Sequence, residues 1–124
     1  MRGGRAPPYA GPMDRDHRLA TYGTLAPGRP NHHHLAMLAG RWHMGTVGGT
    51  LVPVGWGAGM GYPALRPSAD AGRVAVHLLE SPDLPLHWAR LDAFEGCDYV
   101  RIPIDVLVDG GSLPAWIYAA RLPQ

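Results

Sequence analysis

The chain has 124 residues, 46% of them hydrophobic, and a net charge of +1, which fits one domain with a real core and excludes a basic field for nucleic acid or an anionic membrane surface. All 11 basic residues are Arg, so Schiff-base and P-loop lysine chemistry are excluded. A single cysteine, Cys97, excludes an intrachain disulfide framework and any two-cysteine metal site. The 17 Gly and 13 Pro work against a helical bundle and favour short strands joined by turns.

In chain order, residues 1–17 are rich in Gly, Pro and Arg and read as a flexible N-terminal tail, with residues 18–124 as the folded domain. The tail holds no apolar run of signal-peptide length, and no later segment approaches the ~18 apolar residues of a membrane span. With the lone cysteine, this points to a cytoplasmic protein. Leu19 to Tyr22 reads as a short strand leading into Gly23-Thr24-Leu25 and a turn through Pro27 and Gly28. Asn31 is placed to cap a short helix that runs to Ala39 and stops at Gly40. Trp42 to Val54 reads as a strand in which Gly48-Gly49 marks a bulge or a close backbone approach. Gly55 to Gly61 is a Gly-rich loop with the character of a lid and no P-loop pattern. Arg73 to Leu79 is a further strand. A second helix is expected to open at Ser81 to Pro85, run to Phe94 or Glu95 and stop at Gly96.

Tyr99 to Val108 is the clearest strand, with Val100, Ile102, Ile104, Val106 and Val108 on one face and Pro103 marking an edge or bulge. Asp109-Gly110-Gly111 makes a hairpin turn, and Ser112 to Ala120 returns. The expected fold is α+β, a small mixed β-barrel of six or seven strands with two short flanking helices.

Few residues carry chemistry. Leu84, Trp88 and Leu91 sit at helical spacing, and Glu95 continues that stripe, with Phe94 competing for the same face. A carboxyl projected from an apolar stripe is desolvated and gains a pKa suited to proton transfer; a frayed helix end would instead leave Glu95 an ordinary solvated glutamate. Spacing does not choose between the two. Glu80 precedes the helix start and reads as a capping or solvated residue. Gly23 lets the backbone approach a ligand at a strand end, although one Gly after a strand also marks a simple turn. His32-His33-His34 is not read as a metal site, because adjacent helical residues diverge. Cys97, with no activating neighbour, reads as a bystander.

Four segments together are informative. Tyr22-Gly23-Thr24-Leu25 continues through Pro27-Gly28-Arg29-Pro30-Asn31-His32. Tyr62-Pro63-Ala64-Leu65 follows, then Leu91-Asp92-Ala93-Phe94-Glu95-Gly96 with Tyr99 and Arg101, and finally Ala115-Trp116-Ile117-Tyr118. In order and spacing these resemble the motifs of the γ-glutamylcyclotransferase superfamily, closest to its AIG2-like and γ-glutamylamine cyclotransferase branch. The resemblance implies a barrel with a cavity at one end. It implies that Tyr22, Gly23, Thr24 and Leu25, with Tyr99, hold a small-molecule γ-glutamyl substrate, and that Glu95 is the catalytic acid/base. It implies cyclisation of a γ-glutamyl amine or amide to 5-oxoproline, with no metal or organic cofactor. Two other readings stand beside it: a non-catalytic binding module of the same fold, and a partner-binding domain using the Arg-rich tail.

Overall fold

The computed structural model describes residues 13–23, 25–29, 31–53, 63–96 and 98–121. They form six strands: β1 (Arg18–Thr21), β2 (Arg41–Pro53), β3 (Pro63–Pro67), β4 (Arg73–Glu80), β5 (Tyr99–Val108) and β6 (Gly111–Ala120). Two helices accompany them, α1 (His33–Ala36) and α2 (Trp88–Glu95), with short 3-10 turns at Arg15–His17 and Leu84–Leu86. Five strands close into a ring in the order β1, β4, β2, β3, β6 and back to β1. The β1–β6 and β3–β6 pairings are parallel and the other ring pairings antiparallel. The sixth strand, β5, lies along β6 from Tyr99↔Ala120 to Val108↔Gly111 and meets β2 at Thr46↔Leu107. The expected mixed barrel with flanking helices is the fold observed.

Strand alternation divides the core in two. Ala20, Val47, Leu65, Leu78, Val106 and Ile117 belong to the cluster that fills the barrel. Their neighbours Leu19, Leu79 and Tyr118 point the other way, against Leu35, Leu84, Trp88 and Leu91 of the helical layer. Ile102, Ile104 and Val108 pack on the barrel cluster, as the period of the strand predicts. Pro103 stands opposite Trp116 on the stretch of β5 that has β6 as its one strand neighbour, so its missing N–H breaks no ladder.

The Gly48-Gly49 pair marks the barrel corner. Here β2 changes partner from β4, at Gly48↔Arg73, to β3, at Gly49↔Pro67. Gly49 has φ +147°, and a Cβ there would stand 2.4 Å from the Arg66 carbonyl oxygen. A side chain would therefore push the two strands apart.

The helices are shorter than the sequence predicts. α1 is a single turn that starts after His32 rather than Asn31, with no side-chain cap, and it ends before Ala39, whose N–H donates to Asp83 Oδ2 at 2.9 Å. The second helix does not run on from Ser81. The Leu84–Leu86 turn ends at His87, and α2 begins afresh with the Leu91 N–H to His87 carbonyl bond of 3.0 Å. Gly96 ends it as predicted, at φ +77°.

The N-terminal boundary also differs. Asp14 caps the first 3-10 turn in a reciprocal capping box with His17, and His17 is buried. Arg15 donates to the carbonyls of Ile104 and Ala115 at 3.1 and 2.9 Å. Residues 14–17 thus belong to the packed structure rather than to a tail, while residues 1–12 lie outside the described residues. No helix among the described residues is long and apolar enough to cross a membrane.

Candidate active site

Glu95 is the last residue of α2. Leu91, one turn earlier, is fully buried and Trp88 nearly so, which anchors the inward face of the helix. Of the two residues competing to continue that stripe, Phe94 turns outward, 37% exposed, and stacks on His34 at 4.1 Å between ring centroids. Glu95 takes the inward position and is half-buried. Burial pushes its carboxyl from an ordinary 4.5 up to about 7. Burial likewise raises the phenols of Tyr22, Tyr99 and Tyr118, and the Glu95 carboxylate adds to the shift of each. The charge of this one carboxyl is thus felt by phenols on β5, on β6 and just after β1.

The folded chain holds the Glu95 proton at pH values where the unfolded chain has lost it. Stability therefore falls as pH rises from about 4.5 to 7 and stays lower above. Glu95→Gln removes that penalty. It is expected to stabilise the fold at pH 8 by on the order of 1 kcal/mol, since Glu95 is partly open to water, and the gain should vanish below about pH 4.5. Urea titrations of both proteins at pH 8 and pH 4 check this.

Tyr22 serves as a cross-brace. Its hydroxyl donates to the Tyr118 carbonyl and accepts the Leu65 N–H at 2.9 Å, tying the end of β1 to β6 and β3. The predicted substrate-binding residue thus directs its hydroxyl to backbone. Tyr22→Phe leaves one amide and one carbonyl without that partner, an expected cost of about 1–3 kcal/mol measurable by denaturant unfolding. Gly23 follows with open space where a Cβ would stand, and its carbonyl starts the next turn by accepting the Ala26 N–H at 3.1 Å. The Leu25 side chain is buried with Leu35 and Leu38, so what Leu25 can offer a substrate is backbone. Thr24, Tyr62, Cys97 and the expected lid at Gly55 to Gly61 lie outside the described residues. Tyr99 is half-buried beside Ala64 and Ala120, and its carbonyl lies 3.3 Å from Arg121 Nη2.

Sequence reasoning missed a polar cluster beside Glu95. Arg101 makes a two-point bond to Asp92, with Nε to Oδ1 at 2.8 Å and Nη2 to Oδ2 at 3.2 Å. The Tyr118 hydroxyl donates to the same Asp92 Oδ1 at 2.6 Å. The Arg101 guanidinium lies between two indoles, 4.4 Å from the Trp88 ring centre and 4.7 Å from that of Trp116. Both indole N–H groups donate to Asp16, Trp88 to its carbonyl and Trp116 to its carboxylate. Arg101 and Tyr118 hold the Asp92 carboxyl below its ordinary range. Two carboxyls one turn apart on α2 are therefore pushed in opposite directions, Asp92 toward the anion and Glu95 toward the acid. The alternation of Trp116 and Tyr118 with Ala115, Ile117 and Ala119 was the available signal that both rings leave the barrel on one side.

The remaining candidates fall elsewhere. Glu80 accepts from Arg18 Nε at 2.9 Å and lies 3.4 Å from His43 Nε2, which makes it an ion-pair partner on the barrel wall. His32 Nδ1 sits 3.1 Å from the Leu25 carbonyl and its ring faces Trp42, while His33 and His34 stack on each other. Among the described residues, no group of three or more His, Cys, Asp or Glu is arranged to hold a metal. An open groove of about 740 Å³ lies between His43, Met44 and the β5–β6 hairpin, and none of the residues around Glu95 line it.

The family model described as "Gamma-glutamyl cyclotransferase, AIG2-like" matches residues 19–124, and the chain belongs to that family. Among solved structures it resembles YkqA from Bacillus subtilis, at 26% identity and a TM-score of 0.66, over 86% of this chain and 36% of that one. It spans therefore about a third of that protein's length. An AIG2-like protein from Mus musculus matches at 26% identity and a TM-score of 0.66, over 87% of this chain and 79% of that one. PH0828 from Pyrococcus horikoshii, at 20% identity and a TM-score of 0.56 over 86% of this chain and 80% of that one, shares the fold. A search of curated proteins finds no match.

Proposed function

We propose that the protein cyclises a γ-glutamyl amine or amide to 5-oxoproline and releases the free amine, with Glu95 as general acid and base. What supports this is the half-buried Glu95 carboxyl, which burial pushes up to about 7 and whose charge is felt by the Tyr22 phenol, in a chain of this family. The substrate brings its own nucleophile. Its α-amine attacks the γ-carbonyl, a carbon–nitrogen bond closes the five-membered ring, and the bond to the leaving amine breaks. Both reacting groups belong to one molecule, so the protein contributes mainly by holding the folded conformer. Glu95 accepts the proton that the α-amine loses and returns it to the departing nitrogen. A carboxyl with a pKa near neutrality suits both transfers. Backbone N–H groups of the segment from Gly23 to Leu25 would face the substrate carboxylate or the oxygen that gains charge. A cytoplasmic location belongs to this reading.

The test is to incubate the protein with a panel of γ-glutamyl amines and γ-glutamyl amino acids and to quantify 5-oxoproline and free amine. Equimolar formation of both supports the proposal. Binding of a panel member by calorimetry without product replaces it with the non-catalytic binding module.

A further inference from the structure

We propose that Tyr118 and Asp92, braced by Arg101, are positioning residues that clamp the last turn of α2 onto β6 and so hold the Glu95 carboxyl in place at the helix end. The inference rests on the reading of Glu95 as the acid/base, and its geometry is that of the chain itself. Arg101 and Tyr118 are directly opposed across the β5–β6 ladder, on the face that looks toward α2. Asp92, one helical turn before Glu95, reaches down to both, with contacts of 2.6 Å to the phenol and 2.8 Å to the guanidinium. The two indoles leave the guanidinium little freedom to swing away. The carbonyl of Tyr118 receives the Tyr22 hydroxyl, which also holds the Leu65 N–H. One residue of β6 therefore fixes the helix that carries Glu95 and the segment that would face it across the site.

Such a clamp serves the chemistry because a small misplacement of a proton-transfer group is costly. A clamped helix end does not fray, which limits the water that reaches Glu95. Arg101 and Tyr118 favour the anion of Asp92, the opposite of what a second acid would need.

The experiment follows the Glu95 carboxyl by carbon-13 NMR titration, and turnover in parallel, in wild type, Tyr118→Phe and Arg101→Gln. Tyr118→Phe removes one hydroxyl and changes no charge. Its Glu95 midpoint is expected to fall from near 7 to below about 6, with kcat lowered about 10-fold and KM within about threefold of wild type. Arg101→Gln removes a positive charge. Charge alone would raise the Glu95 midpoint, whereas loss of the clamp lowers it, and the fall is expected. A midpoint at the wild-type value in a folded Tyr118→Phe, or a rise in Arg101→Gln, overturns the proposal. If Tyr118→Phe does not fold, the sign of the shift in Arg101→Gln decides alone. If wild type turns over no γ-glutamyl compound, the cyclotransferase reading fails, and the titrations still decide the clamp.

Discussion

Glu95→Gln is expected to lower 5-oxoproline formation by about 10²–10⁴-fold while leaving substrate binding within a few-fold of wild type. The amide has the size and polarity of the protonated carboxyl, so the surroundings of residue 95 keep their shape. What it cannot do is accept the proton of the attacking amine. The loss therefore belongs in kcat rather than KM. Pre-steady-state measurements and calorimetry on the same substrate separate the two. An equal loss in binding would mean that Glu95 holds the substrate rather than moving its proton. The predicted gain in stability of this variant at pH 8 makes a further contrast, since an unfolded protein could not explain the lost activity.

The largest expected effect on stability comes from Leu91→Ala. Leu91 is fully buried in the layer between barrel and helices, together with Leu84, Trp88 and Tyr118. Truncation removes its buried methyl groups and leaves a cavity, a cost of about 2–5 kcal/mol. For a domain whose whole stability is about 5–15 kcal/mol, that is a large share. Guanidinium unfolding measures it directly. Ala93→Ser, two residues on and exposed, is the control and should stay within about 0.5 kcal/mol. Leu91→Ala should also lower turnover well below the unfolding midpoint, because the helix that it anchors ends in Glu95.

Strand order could be read along the chain wherever the signal was local. The β5–β6 hairpin was legible because alternation and the Asp109-Gly110 turn agree, and the barrel corner because Gly48-Gly49 stands inside an otherwise strand-like run. The helices were over-read because apolar spacing continues through His87 and past Ala36, while the backbone bonds there are taken by Asp83 and by the 3-10 turn. The start of the domain was missed because Gly, Pro and Arg dominate the first seventeen residues, and this composition hides the Asp14–His17 capping box.

The site divides in the same way. Spacing left Glu95 balanced between core and solvent. In the fold Phe94 lies outward against His34, and Glu95 is half-buried. Tyr22 was singled out from its motif, but the partners of its hydroxyl lie 43 and 96 residues away. The bond from Asp92 to Tyr118 spans 26 residues, and the one from Trp116 to Asp16 spans 100. No periodicity reports such contacts. They appear only when β5 and β6 lay Arg101, Trp116 and Tyr118 side by side beneath α2.

On the proposed reading, this fold holds one carboxyl in a state suited to giving and taking a proton near neutral pH. Titration of the Glu95 carboxyl by carbon-13 NMR in the free wild-type protein tests it most directly. A midpoint near 7 is the expected result. A midpoint near the ordinary 4.5 would show a solvated helix-end glutamate and remove Glu95 as an acid/base poised near neutrality.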